Sequence, residues 1–97
     1  MTPADLARSA AADPAPPAAL APVLQALWWI RRGDWERAHA IVQADEDGRD
    51  AARVHAHLHR LEGDAGNARY WYRRAGCPVS TLSPDAEWNE IVAALLR

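Results

Sequence analysis

Gly33-Asp34-Trp35-Glu36-Arg37-Ala38 and Gly63-Asp64-Ala65-Gly66-Asn67-Ala68 decide how this chain is read. The two stretches match at Gly, at Asp and at the Ala four residues beyond the Asp, thirty positions apart. Glycine closes a helix because it enters left-handed backbone without a steric penalty, and an Asp directly after it caps the next helix from its carboxylate. Each stretch therefore predicts the turn of a helical hairpin. A repeat of this length predicts hairpins that stack on one another.

The flanking residues follow helical spacing. Before the first turn, a helix from about Ala18 to Arg32 places Leu20, Val23, Leu24, Leu27, Trp28 and Ile30 on a wide apolar surface. After it, Trp35, Ala38, Ile41 and Val42 mark one face of a second helix ending near Ala44. The acidic run Asp45-Glu46-Asp47-Gly48 reads as a loop. A third helix, Asp50 to Glu62, carries Val54, Leu58 and Leu61, and a fourth runs through Ala68, Tyr70, Trp71, Tyr72 and Ala75 to a stop at Gly76 and Pro78.

Ser83-Pro84-Asp85 is a helix start, with a cap, a proline at the first position and an acid in the first turn. The helix it opens puts Trp88, Ile91, Val92, Leu95 and Leu96 on one face, as a lid would. The fold expected is all-α: hairpins over 18–45 and 49–77 and a capping helix over 84–96, together a single domain from 18 to 97. Residues 1–17, rich in Ala and Pro, are expected to be a flexible segment, although Thr2-Pro3-Ala4-Asp5 can cap a short helix as far as Ala12.

The hairpin pattern resembles the tetratricopeptide repeat: a helix ending in Gly-Asp, a bulky residue, then a small Ala where two helices cross. Trp35 and Ala38, and Ala68, Tyr72 and Ala75, are the residue types that family packs with. The segments Val54 to Asp64 and Asn67 to Gly76 are also similar to small bacterial proteins of tetratricopeptide-like type. The resemblance implies a binding module and covers roughly Leu20 to Pro78. The period of thirty departs from the family's thirty-four, and two hairpins are fewer than a solenoid uses. A closed domain with a local pocket is therefore expected in place of a long peptide groove.

Composition narrows the possibilities. The 97 residues suffice for one domain and one core, and that core must be built around five Trp and two Tyr, since there is no Phe. Every base is Arg, and the net charge of -2 does not indicate a general binder of nucleic acid or membrane surface. One cysteine, Cys77, excludes an internal disulfide and fits a reducing cytoplasm, and no stretch has the length of a membrane span.

Three groups of residues carry chemistry. His55, His59 and Glu62 fall at i, i+4 and i+7 on the third helix, a spacing that converges on a transition metal, with His39 on the preceding helix as one more donor. The repeat register also fits these histidines to a polar network packed between helices. His57 points the other way, flanked at helical spacing by Arg53 and Arg60, an arrangement that can hold a carboxylate or phosphate. The run Arg69-Tyr70-Trp71-Tyr72-Arg73-Arg74 has the composition of a single-strand nucleic-acid binder, but core aromatics among solvated arginines explain it better.

Trp28-Trp29 must diverge by about a hundred degrees, so one fills the core and the other lies at a rim, where a homodimer can cover it. No nucleophile elbow, phosphate loop or Cys-His pair occurs, and an enzyme is not expected. The reading is a binding module for a protein partner or small anionic ligand through Arg53, His57 and Arg60. The alternative is a small metal-binding protein or enzyme centred on His55, His59 and Glu62.

Overall fold

The computed structural model describes all residues from Met1 to Arg97. It contains six helices and no strand: α1 (Pro3–Ala12), α2 (Pro22–Arg32), α3 (Trp35–Gln43), α4 (Arg49–Leu61), α5 (Ala65–Ala75) and α6 (Pro84–Leu95). Helices α2 and α3 form one antiparallel hairpin and α4 and α5 the other, with α6 laid across α4 and α2.

The two Gly-Asp turns are built alike, bond for bond. Gly33 and Gly63 have φ of 90° and 84°, left-handed backbone that a Cβ would strain. Each glycine N–H donates to a carbonyl three residues back, Ile30 (3.0 Å) or Arg60 (3.1 Å). Each following aspartate N–H reaches one five back, Trp29 or His59, at 2.9 Å. These paired bonds satisfy carbonyls left open at the helix end. Asp34 then accepts from the Arg37 N–H and Asp64 from the Asn67 N–H, both at 3.1 Å, opening α3 and α5. Ala38 and Ala68, thirty apart, are both buried.

Two apolar clusters result. The larger joins α1, α2, α3, α4 and α6 around Leu27, Trp28, Val54, Leu58 and Trp88. The smaller lies between α4 and α5, where Ala52, Ala56 and Ala68 let Trp71 and Tyr72 close on α4. Trp28 is fully buried while Trp29 is half-buried at the rim beneath the Arg37 guanidinium, which lies 4.5 Å from its ring centroid.

Two expectations are corrected. The first concerns the N-terminal segment, whose first helix is not a loose tail. Leu6 and Ala10 are buried in the main core, the Trp28 indole N–H donates to Ser9 Oγ at 3.0 Å, and Arg32 donates to the Ala10 and Asp13 carbonyls. Judged alone, the segment is short of apolar mass. Its i and i+4 pair nevertheless completes a core that α2 leaves open, and the radius of gyration, 12.2 Å, is that of a fully folded chain of this length, about 13 Å. The second concerns α2, which begins at Pro22 and not at Ala18. A proline disfavours helical backbone in the residue before it, so Ala21 is extended and Leu20 sits in a turn.

If α1 is part of the core, Leu6→Ala costs roughly 2–5 kcal/mol, as for other buried leucines. Urea unfolding followed by Trp fluorescence measures it; an unchanged midpoint would mean that the segment is a tail after all.

Candidate functional site

Helix α4 is the centre of the molecule, and its histidines divide between two faces. Alternate residues on a helix differ by about 200°, so His55 and His59 share one side and His57 takes the other. All three are buried, at 1%, 6% and 1% exposure.

The His57 face meets α6. His57 Nδ1 is 2.6 Å from Glu87 Oε1, Arg60 Nη1 donates to the same oxygen at 3.1 Å, and Tyr72 donates its hydroxyl to Glu87 Oε2 at 2.5 Å. A carboxylate only accepts, so the imidazole nitrogen at this contact carries the proton. Arg60 also donates to the Leu82 carbonyl, and Arg53 donates to Glu90 at 2.6 Å. Burial by itself raises the Glu87 pKa, but the hydrogen bonds from His57 and Tyr72, the His57 charge and Arg60 outweigh it and leave the carboxyl below its ordinary value. Burial first, then the bond to Glu87, pushes the Tyr72 phenol well above its ordinary range.

Of the residues named for an anion, His57 and Arg60 meet on Glu87 and Arg53 pairs with Glu90. Both carboxylates are the chain's own. Glu87 is the residue that sequence reasoning missed. It is a first-turn acid, yet it lies four residues before Ile91 and so falls on the buried face of α6. That spacing was the available signal.

The opposite face of α4 meets α3 and α5. His55 Nε2 lies 3.1 Å from His39 Nε2, and His59 Nδ1 lies 2.6 Å from Glu62 Oε1. One donor nitrogen from each of His39, His55 and His59 lies within 4.8 Å of the other two. Trp35 stacks on His39 with centroids 4.6 Å apart, and Trp71 stacks on His55 at 3.8 Å. The Trp35 indole N–H donates to the Leu58 carbonyl at 2.9 Å, tying α3 to α4. Desolvation, then His39 and His59, lowers the His55 pKa to about 4; desolvation and His59 also lower that of His39, against the pull of Glu36 and Glu62.

The structure therefore joins His55 and His59 to His39, while Glu62 stands behind His59 as its hydrogen-bond partner. In the arginine-aromatic run, Trp71 and Tyr72 turn inward, and Arg74 bonds the Tyr70 hydroxyl and lies 5.2 Å from the Trp71 centroid. Cys77 is half-buried and its thiol is pushed up by burial, which makes it a poor nucleophile. No helix is long and apolar enough to cross a membrane.

Comparison of the chain with protein-family models, with curated proteins and with solved structures finds no match.

Glu87→Gln removes the charge that Arg60 and His57 share, and it should cost about 3 kcal/mol at neutral pH, as breaking a buried pair does. A carboxyl held below its ordinary pKa stabilises the fold above that ordinary value and loses the contribution as pH falls through the folded one. The gap between wild type and variant, followed by urea unfolding, should therefore be full at pH 6 to 7 and close in acid below the usual carboxylate range. A gap unchanged down to acid would show that the charge contributes nothing.

Proposed function

We propose that the chain is a tetratricopeptide-like helical-hairpin module that works in the cytoplasm by binding a protein partner. The repeated Gly-Asp turns, equivalent in φ and in hydrogen bonding thirty residues apart, support the likeness to that repeat and to the small bacterial proteins that share it. A single half-buried cysteine fits a reducing compartment.

The observation that carries the reading is a groove at the C-terminal end of α4, polar and apolar along one half and mainly apolar along the other. Two adjoining depressions, about 300 and 170 Å³, share Ile30 and Leu61 as walls, with Trp88 in one and Trp35 and Leu58 in the other. Leu61 is 44% exposed at the end of a helix whose middle, from Ala51 to His59, is buried apart from half-buried Arg53. A groove of this size takes one or two large apolar side chains from an amphipathic segment, the kind of central contact that dominates protein interfaces. Arg31 and Asp85, paired at 3.4 Å, form its polar rim.

A small anionic ligand is the weaker reading. Arg53, His57 and Arg60 are engaged with Glu87 and Glu90, so an anion would have to displace α6.

A photo-crosslinking amino acid placed at Leu61 in the native cell should yield one discrete protein adduct. The control is the same amino acid at Asp47, fully exposed at the other end of α4. No adduct, or identical labelling from both positions, rejects the groove as a docking site; an adduct between two copies of this chain identifies the partner as itself.

A further inference from the structure

Helices α3 and α4 belong to different hairpins, and beside the apolar contacts of Ala38 and Val42 with Val54 and Leu58 their junction carries three histidines. His39 comes from α3, and His55 and His59 come from adjacent turns of α4. From this geometry we infer that His39, His55 and His59 form a binding site for a divalent transition-metal ion, of which Zn²⁺ is the representative. The inference does not depend on the partner-binding reading.

Distances are the first ground. Zinc bonds imidazole nitrogen at 2.0–2.1 Å, which in a tetrahedron sets neighbouring donors about 3.4 Å apart. His39 Nε2 and His55 Nε2 are already 3.1 Å apart, and no two of the three donor atoms are more than 4.8 Å apart. The widest separation has to close toward that value for a tetrahedral site. Three nitrogens leave one position for water.

The second ground is the carboxylate behind the cluster. A histidine that ligates through one nitrogen usually donates the other N–H to a carboxylate or carbonyl, which fixes tautomer and orientation. His59 donates Nδ1–H to Glu62 at 2.6 Å, and this leaves its Nε2 with a free lone pair. Asp64 adds a further carboxylate oxygen within 4.8 Å of donor atoms on His59 and Glu62. Glu36 and Glu62 both act electrostatically on His39, so the neighbourhood offsets an incoming cation.

The third ground is the hydrogen-bonding state of the metal-free cluster. His55 Nδ1 is buried with no hydrogen-bond partner. In the His55–His39 contact only one ring can donate, so one Nε2 holds a proton and the other a lone pair. A metal ion would take both Nε2 lone pairs in place of that hydrogen bond, with the protons on Nδ1. Neutral imidazole is the ligating form. Trp35 and Trp71, stacked on His39 and His55, hold the rings in place. His39, the only half-buried member, provides the entry side.

The test uses full-length protein purified without a histidine tag, titrated with Zn²⁺ against a chromophoric chelator and with Co²⁺ by visible absorption. One equivalent should bind, and Co²⁺ should show the intense ligand-field bands of a tetrahedral nitrogen site. Zn²⁺ at about a hundred times its Kd should raise Tm by roughly 10 °C or more. His39→Gln, at the half-buried position, should lower affinity at least a hundredfold while circular dichroism reports an unchanged fold. Glu62→Gln should lower it at least about tenfold, as loss of a supporting carboxylate does. No saturable equivalent, no effect on Tm, or a His39→Gln variant that binds as tightly as wild type would each overturn the proposal.

Discussion

Burying α4 is the constraint to which the other helices answer. Eight of its thirteen residues are buried, and three of those eight are histidines. A helix enclosed on all sides is ordinarily apolar all round. An imidazole deprived of water and left without a partner costs about 1–3 kcal/mol, so three of them unmatched would remove a large part of a small domain's stability. The neighbours of α4 carry the matching groups: Glu87 from α6 for His57, Glu62 for His59, and His39 from α3 for His55. Only His55 Nδ1 is left over.

This matching explains why two hairpins suffice for a closed domain. In an open solenoid the terminal repeats need polar caps. Here α6 lies across the basic face of α4, fixed by a buried carboxylate that three side chains from two helices share. The Trp88 indole N–H donates to the Leu27 carbonyl at 2.9 Å, so the same helix also closes over α2. At the other side of α2, α1 buries Leu6 and receives the Trp28 indole N–H on Ser9. Indole bonds from Trp28, Trp35 and Trp88 thus tie α1 to α2, α3 to α4 and α6 to α2, a consequence of a core built on Trp in a chain without Phe.

Features governed by local rules were legible in the sequence. The Gly-Asp turns, the Ser83 cap and the divergence of Trp28 from Trp29 follow from residue type and helical spacing, and the structure has all three. The start of α2 was misplaced because the apolar pattern extends back through Leu20, whereas Pro22 limits it. What stayed hidden depended on partners distant in sequence. Leu6 and Ala10 have too little apolar surface to predict docking until the open side of α2 is known. Glu87 is an ordinary first-turn acid until His57, thirty residues earlier, is placed beside it. Helical spacing put His55 and His59 on one face and His57 on the other, with His39 as a further candidate beside the first pair, but spacing within one helix cannot say that Glu87 occupies the second face.

The account therefore rests on imidazoles of α4 held by named partners in the metal-free protein. Long-range nitrogen-proton correlation spectra of the four histidine rings at neutral pH test this directly, because a ring donating to a carboxylate through Nδ1 must carry its proton there. His57 and His59 should each show a protonated Nδ1, against the usual preference of a solvated neutral histidine for a proton on Nε2. Four rings all showing the solvated pattern would contradict the account, since α4 would then not be the buried, polar-matched centre of the fold.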